Sequence, residues 1–325
     1  MQRSKRVALW GLASLALWSP LAVMAQADYP ARPIKIIIPF PAGSGTDSSA
    51  RFVAQQIAQQ TGQAVVVDNK PGANGFIAAQ GAAQAAPDGY TVFITTMTTQ
   101  SVNPFLFKKL PYDPVKDFEP VSLISQSPML LVMRNTDDQP RTVAELTARA
   151  RKPGARISYA SGNTSSRVAA ETYKQIAGVD FLHVPYKGTP QGISDLLGGQ
   201  VDLMFPDLTP SVPLVKDGRL RALGVTGTRR IATLPEVPTL AEAGLAGFDL
   251  VTWSAAFVPA KTPKAVVDKL NALIAKGLTT KEAQAHYART GSEATPSTPA
   301  ELAAFTKSEL VKWGRAVKAA GIEPE

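Results

Sequence analysis

Two stretches of the sequence place glycine and hydroxyl side chains directly after an apolar run and before a helical pattern. The first is "PAGSGTDSS", which follows the apolar residues 34–38, and the second is "YASGNTSSR", which begins at Tyr159. A helix that starts in such a turn presents unpaired backbone N–H groups and the positive end of its dipole. This combination binds phosphates and carboxylates. Both stretches are therefore predicted to bind an anion.

Hydroxyl side chains add donors to both stretches. In the first stretch these are Ser44, Thr46 and Ser48. Asp47 is predicted to be the N-cap of the first helix. The second stretch offers a run of polar residues: Ser161, Gly162, Asn163, Thr164, Ser165 and Ser166. One such helix start in each half of the molecule would hold a single anion from two sides; a capped turn without a ligand is the alternative for the first.

Arg167 follows the second stretch in the first turn of the predicted helix, where a cation opposes the helix dipole. Two interpretations stay open for its side chain. It lies on the surface, or it is the counter-ion of a ligand carboxylate.

The first 27 residues are typical of a cleaved export signal. Three basic residues precede an apolar run at 7–24, and "AQA" provides a cleavage site before Asp28. A single membrane anchor is the alternative, but the cleavage site follows the run directly and "WSP" interrupts its end. The mature chain is therefore predicted to be a soluble periplasmic protein, with the signal peptide 1–27 removed near Ala27.

A dinucleotide is the first anion to consider, because "GSGTDS" is one glycine short of the fingerprint G-x-G-x-x-G. Ser48 replaces the third glycine, whose missing side chain lets helix and strand pack closely. Pro39 and Pro41 also stiffen the turn before the glycines. An exported protein meets essentially no NAD, so the sequence favours a different anion.

Composition and charge support a small anionic solute. The 325 residues, 45% of them hydrophobic and 18% charged, suffice for two α/β domains with separate cores. Net charge falls from +8 to +5 without residues 1–27, which hold three basic and no acidic residues. The basic residues are scattered rather than clustered, so no nucleic-acid partner is predicted.

Catalytic and metal chemistry find little support in the sequence. The chain has no Cys, which removes disulfides, thiolate nucleophiles and Cys metal sites together. Its two histidines, His183 and His286, belong to no metal-binding spacing, and no G-x-S-x-G elbow occurs. A protein without catalysis, metal or cofactor is expected, and an exported α/β enzyme is the alternative of another class.

Short β-like runs alternate with helical patterns over most of the mature chain. Residues 34–38, 64–67 and 91–95 are predicted to be buried parallel strands. After the first of these, apolar residues recur at helical spacing: Ala50, Val53, Ala54, Ile57 and Ala58. The proline-rich stretch at 103–120 is predicted to be a long ordered connection, and a second stretch rich in proline and glycine spans 234–247. The pattern predicts two α/β halves with a ligand cleft between them.

Eight successive segments carry a specific resemblance: "YPARPIKIIIPFPAGSGTD", "DNKPGANG", "PDGYT", "LPYDPVKDFEPVSLI", "HVPYKGTPQGISDLLGGQVDLMF", "GRLRALGVTGTRR", "LPEVPTLAEAGLAGF" and "PAKTPKAVVDKLN". They resemble the receptors of tripartite tricarboxylate transporters, which are the Bug-type or TctC-like periplasmic solute-binding proteins. The segments cover essentially the whole mature chain, in order and with typical spacing.

The resemblance implies a two-lobed α/β periplasmic binding protein, a Venus flytrap of type II topology with two chain crossings. Lobe 1 would comprise 28–125 and 251–325, and lobe 2 would comprise 126–250. A monomer would close by hinge motion on a small carboxylate and deliver it to a membrane permease. Presentation of the ligand to a membrane sensor kinase is an alternative that the sequence does not separate.

The resemblance also implies which residues bind the ligand. They lie in the first and second glycine-rich loops, at the end of the third strand, in the "PYKG" loop and after "DLMF": Phe40, Ala42, Gly43, Ser44, Thr46, Asp47, Thr96, Thr98, Ser161, Gly162, Asn163, Thr164, Ser165, Ser166, Tyr186, Lys187 and Asp207.

Three positions depart from the family pattern and bear on the ligand. Ser44 stands where the family often has a second glycine, Arg167 where it has His or Gln, and Phe76 where a small or polar residue is usual. An arginine and an added aromatic ring would suit a second carboxylate on a flat ring, such as a benzene dicarboxylate. An aliphatic dicarboxylate is an equal alternative. An acidic amino acid, whose ammonium Asp207 would meet, is less favoured.

Overall fold

The computed structural model describes residues 29–325, which form two β-sheets with helices on their faces. The predicted export signal at 1–27 lies outside the described residues. The strands are β1 (Ile34–Ile38), β2 (Val65–Asn69), β3 (Thr91–Thr96), β4 (Phe118–Pro128), β5 (Leu130–Arg134), β6 (Ser158–Ser161), β7 (Leu182–Pro185), β8 (Leu203–Met204), β9 (Leu220–Val225), β10 (Val251–Pro259) and β11 (Glu293–Ala294). The helices are α1 (Gly45–Thr61), α2 (Phe76–Ala83), α3 (Asn103–Leu106), α4 (Val143–Ala150), α5 (Thr164–Ala177), α6 (Thr189–Gly198), α7 (Leu208–Lys216), α8 (Lys264–Leu278), α9 (Lys281–Ala288) and α10 (Pro299–Ala319).

The first sheet has the strand order β11-β4-β10-β3-β1-β2. β1 runs parallel to β2 and β3, whereas β10 runs antiparallel to β3 and β4. Helices α1 and α8 pack on one face, where Ile57 and Leu270 join the core with Ile36. The predicted stripe of α1 is confirmed, since four of its residues are buried and Ala58 is half-buried. Burying this stripe is what fixes the orientation of α1 on the sheet.

The second sheet has the strand order β7-β6-β8-β5-β9. β6 runs parallel to β7 and β8, and β5 runs antiparallel to β8 and β9. Successive residues of β5 enter different clusters, because side chains alternate between the faces of a strand. Leu130 and Val132 pack with α6 and α7, while Leu131 and Met133 pack with α4 and α5. Both faces of this sheet are therefore covered by helices.

The chain passes between the two sheets twice. β4 of the first sheet leads into β5 of the second, and β9 leads back to β10 through residues 226–250. β4 and β10 pair side by side, with the hydroxyl oxygens of Ser125 and Ser254 2.8 Å apart. This confirms the predicted two-lobed α/β architecture with two crossings. The units built on the first and second sheets are called the first and second lobe below.

Two parts of the first lobe differ from the sequence prediction. β2, predicted as a buried strand, is the edge strand of its sheet, and Val66 on it is 58% exposed. The stretch 103–120, predicted as a long ordered connection between elements, contains α3 and the start of β4. β4 begins at Phe118 because its backbone pairs there with Pro259, a partner far along the chain. The predicted lobe boundaries stay a prediction, and the one at 125/126 falls inside β4.

None of the helices in residues 29–325 combines the length and apolar character needed to span a bilayer.

Candidate functional site

The turn after β1 ends in a capped helix start. Ser44 has an extended backbone, and its hydroxyl accepts a hydrogen bond from the Asp47 N–H at 3.2 Å, so Ser44 is the N-cap of α1. The prediction of Asp47 as N-cap is wrong, because the helix already begins at Gly45. Gly43 has φ of +80°, a conformation that favours glycine. The N–H groups of Gly45 and Thr46 find no partner among residues 29–325.

Asp47 organises this turn from inside the first lobe. Its carboxylate accepts hydrogen bonds from the Gly43 N–H at 3.0 Å, from Arg51 at 3.1 Å and from the Asn69 side chain at 2.9 Å. Burial alone would raise the pKa of this carboxyl, but these hydrogen bonds outweigh it and hold the pKa below its usual range. All of the carboxylate's partners are thus groups that hold the loop in place.

The turn after β6 forms the second helix start. Asn163 is the N-cap of α5, and its side-chain oxygen accepts from the N–H of Ser166 and the hydroxyl of Ser165, both at 2.8 Å. The N–H groups of Thr164 and Ser165 have no partner within residues 29–325. The start of α5 therefore keeps unpaired donors at the positive end of its dipole, as the sequence predicts.

The two helix starts face a narrow gap between the lobes. The Thr164 hydroxyl donates across this gap to Asn103 of the first lobe at 3.2 Å. A Cβ added to Gly188 of the second lobe would lie 2.3 Å from Pro41 Cγ of the first. The two lobes are therefore in contact at the mouth of the glycine-rich turns, and glycine is what allows the close approach.

A cleft of about 470 Å³ opens between the lobes beside this contact, and we call it the outer cleft. Its volume is in the range of small-molecule sites. It combines loop residues of both lobes with two cations and one carboxylate. Its walls are Pro39, Phe40, Gly72, Asn74, Gly75, Thr98, Ser161, Gly162, Asn163, Thr164, Arg167, His183, Pro185, Tyr186, Lys187 and Glu325.

A smaller cavity of about 150 Å³ lies on the other side of Phe40 and Asn163, which line both spaces. We call it the hinge cavity, because it reaches the crossing strands β4 and β10. The starts of α1 and α7 open onto it, and hydroxyl side chains cover much of its wall. Among its lining residues are Gly45, Thr46, Thr96, Ser125, Ser127, Asp207, Leu208, Thr252, Ser254 and His286.

Asp207 lies at the start of α7 on the wall of the hinge cavity. It accepts a hydrogen bond from the Thr189 hydroxyl at 3.1 Å. Burial raises the pKa of its carboxyl, because the charged form is less well solvated there than in water. The hydrogen bond from Thr189 opposes this rise only in part.

Arg167 faces the outer cleft, and only 24% of its side chain is exposed. Its guanidinium donates to the carboxylate of Glu325, a residue that also lines the outer cleft. Of the two interpretations left open by the sequence, the geometry supports a side chain in the cleft wall. The carboxylate that it meets belongs to the chain itself.

The predicted site residues fall into three groups. Nine of them line the outer cleft: Phe40, Thr98, Ser161, Gly162, Asn163, Thr164, Arg167, Tyr186 and Lys187. Thr46, Thr96 and Asp207 line the hinge cavity, with Phe40 and Asn163 common to both. Seven line neither space: Ala42, Gly43, Ser44, Asp47, Phe76, Ser165 and Ser166.

Phe76 is one of the predicted residues that line neither space. Its ring packs edge-on against Phe107 at 4.9 Å and Tyr112 at 6.1 Å between centroids. It belongs to the periphery of the main hydrophobic core. The Phe76 ring is thus used for packing within the first lobe, and the geometry gives no support to a contact between this ring and a flat ligand.

The sequence reasoning did not assign Glu325 and His183 to the site. His183 is stacked on Tyr159, with its Nε2 2.7 Å from the Ser161 hydroxyl. Burial, followed by the nearby charge of Arg167, lowers the pKa of His183, so its ring is neutral at pH 7. His183 lies on β7 opposite Tyr159 of β6, the strand that leads into the second glycine-rich turn. A histidine in a β-like run next to that strand could have been predicted as a site residue, whereas nothing in the sequence around Glu325 indicated such a role.

The architecture and the cleft define the class of protein. Two α/β lobes, joined by two crossings around a polar cleft, form a periplasmic binding protein fold. The family described as tripartite tricarboxylate transporter family receptor matches residues 49–322, and the chain belongs to this family.

Individual relatives agree with this assignment. A protein encoded in the tcbD-tcbE intergenic region of Pseudomonas sp. strain P51 is 36% identical, over 96% of this chain and 94% of the relative. The periplasmic binding protein BugD has a TM-score of 0.87 and 36% identity, over 91% of this chain and all of its own. Rpa4515 of R. palustris, solved with adipate, has a TM-score of 0.89 and 32% identity, over 92% and 100% of the two chains.

The family consists of binding and receptor proteins, so the chain is a solute-binding protein rather than an enzyme. Residues 29–325 contain no group of three or more His, Cys, Asp or Glu side chains arranged to hold a metal ion.

Proposed function

We propose that the protein captures a small carboxylate in the outer cleft and delivers it to the membrane permease of a tripartite tricarboxylate transporter. The observation that carries the proposal is the start of α5, which keeps two unpaired N–H groups beside a cleft that also holds cationic side chains. A carboxylate is the common solute group that both the helix dipole and these donors stabilise.

The residues of the cleft have separate roles in this proposal. The ligand carboxylate accepts hydrogen bonds from the N–H groups at the start of α5, that of Thr164 in the cleft wall and that of Ser165, the next residue in the first turn. Thr98 adds a hydroxyl, which is buried in the cleft wall and has no partner within the described part of the chain. Lys187, which is exposed at the rim, draws the anion toward the cleft.

Capture involves both lobes, because the cleft walls come from both. We propose that lobe 1, residues 28–125 and 251–325, and lobe 2, residues 126–250, move apart about the crossing strands to admit the ligand. The protein works as a monomer in the periplasm, after removal of residues 1–27.

The ligand class in this proposal is a di- or aromatic carboxylate of modest length. Adipate, with which the R. palustris relative was solved, is the first aliphatic candidate. A benzene dicarboxylate is the aromatic candidate, with Phe40 and Tyr186 as the rings in the outer cleft. The hinge cavity offers Asp207 to an ammonium group, so an acidic amino acid is the third candidate.

Isothermal titration of the purified mature protein tests the binding step. We expect at least one of adipate, phthalate and glutamate to bind with a Kd near 1 μM or below, which is about −8 kcal/mol. The diamine putrescine is the control and should give no heat. The ligand should be recovered unchanged, and flat titrations with all three carboxylates would contradict the proposal.

Uptake in cells tests the delivery step. Deletion of the gene should abolish uptake of the carboxylate that binds, since the permease then lacks its receptor. Unchanged uptake combined with a lost transcriptional response to that carboxylate would instead identify a receptor for a sensor kinase.

A further inference from the structure

The ion pair between Arg167 and Glu325 joins the two lobes at the outer cleft. Arg167 belongs to α5 of the second lobe. Glu325 is fixed to the first lobe by two backbone hydrogen bonds of 2.9 Å, from its N–H to Leu106 and from the N–H of Lys108 to its carbonyl. The Glu325 side chain then reaches the guanidinium across the gap. One of the two cationic side chains of the outer cleft is thus already paired with a carboxylate of the chain itself.

The charges around the outer cleft show what this contact does. The ionised side chains in its wall are those of Arg167, Lys187 and Glu325, and their charges sum to plus one. His183 adds none at pH 7, because its pKa is lowered. Lys187 makes no ion pair among residues 29–325, so it is the cationic side chain of the cleft that Glu325 leaves available.

From this arrangement we infer that Glu325 is a specificity-determining residue, which selects against ligands that bring a second carboxylate to the Arg167 end of the cleft. The inference rests on the proposed function. One ligand carboxylate binds at the start of α5 and meets no competitor. A second carboxylate that reaches toward Arg167 must displace Glu325 or lie beside it, and the two like charges then repel, with part of the repulsion screened by solvent at the 59% exposed Glu325 side chain.

Two ligands that differ only at one end should therefore respond differently to the charge of Glu325. Hexanoate and adipate have the same six-carbon chain, and adipate carries the second carboxylate. Replacing Glu325 with Gln keeps the size and the backbone contacts of the side chain but removes its charge. The wall charge then rises to two, and Arg167 becomes available to adipate.

The test is isothermal titration of hexanoate and adipate into wild type, Glu325→Gln and Glu323→Gln at pH 7. Glu323 is an exposed neighbour outside the cleft, so its variant matches the charge change alone. We expect Glu325→Gln to bind adipate about tenfold more tightly than wild type, which is about 1.4 kcal/mol. Its affinity for hexanoate should stay within about twofold of wild type. Glu323→Gln should change neither affinity. Adding Arg167→Gln to the Glu325→Gln protein should remove the gain for adipate.

An unchanged adipate-to-hexanoate ratio in Glu325→Gln overturns the inference while leaving carboxylate binding intact. Equal weakening of both ligands also overturns it, because Glu325 would then act only as a link between the lobes. If wild type binds neither these ligands nor any other carboxylate, the proposed function fails, and the role of Glu325 fails with it.

Discussion

Replacing Gly188 with Ala should weaken ligand binding without weakening the fold. Gly188 has φ of 178°, an extended backbone that any residue adopts, so the substitution introduces no backbone strain. The new Cβ would lie 2.3 Å from Cγ and 2.5 Å from Cδ of Pro41 in the other lobe. Ordinary contact begins near 3.4 Å. The lobes must therefore stay about 1 Å further apart at this point, a distance at which a hydrogen bond of normal length is lost.

The size of the effect follows from the ligand contacts that this separation stretches. A hydrogen bond to a charged group contributes roughly 1.5–3 kcal/mol, and the loss of one of them reduces affinity by about 10- to 100-fold. The free energy of unfolding should change little, because the separated lobes relieve the clash. Titration of adipate measures the first quantity and urea denaturation the second.

Gly198→Ala is the matched control for this substitution. Gly198 lies at the end of the helix that follows Gly188, and a Cβ there meets no atom within 4 Å. We expect its affinity to equal that of wild type. Equal affinity in Gly188→Ala, with an undisturbed fold, would refute the claim that the ligand is held between lobes that are closed as far as the contact of Pro41 with Gly188.

Two further predictions concern charged residues of the site. Arg167→Ala should weaken adipate binding at least about tenfold, because it leaves Glu325 unpaired beside the ligand; unchanged affinity in a titration would remove Arg167 from the binding role. Asp47→Asn should lower the free energy of unfolding by about 1–3 kcal/mol, because the amide keeps one acceptor oxygen and turns its NH2 group toward the donor of either Gly43 or Asn69, while the exposed Arg51 contributes little. Since the pKa of Asp47 is lower in the folded protein than its ordinary 3.8, the stability that its ionised form contributes is present above about pH 4 and is lost at lower pH. Urea denaturation should therefore show the two proteins converging as the pH falls below about 4, and a constant difference would contradict this account.

The sequence predicted β1, the buried face of α1 and the start of α5 correctly, because each depends on residues close together in the chain. The apolar run Ile34–Ile38 is β1, residue for residue, and the stripe through Ile57 is the buried face of α1. The polar turn before Arg167 does begin a capped helix. Each of these depends on residues within a few positions of one another, where strand or helix periodicity is direct information.

Features that depend on contacts between residues far apart in the chain could not be predicted from the sequence. Ser44 and Asp47 are both good capping residues, and only the contact of Asp47 with Asn69, 22 positions away, shows that its carboxylate serves the loop. β2 has the composition of a buried strand, but the order of the sheet leaves it at the edge. Arg167 and Glu325 are 158 positions apart, so their pairing required the fold.

A crystal structure of the protein grown with adipate tests the central claim most directly. The account predicts density in the outer cleft, with one carboxylate within about 3.0 Å of the N–H groups of Thr164 and Ser165, a normal hydrogen-bond distance. Adipate bound away from the start of α5, or an empty cleft at a concentration that saturates the titration, would contradict it.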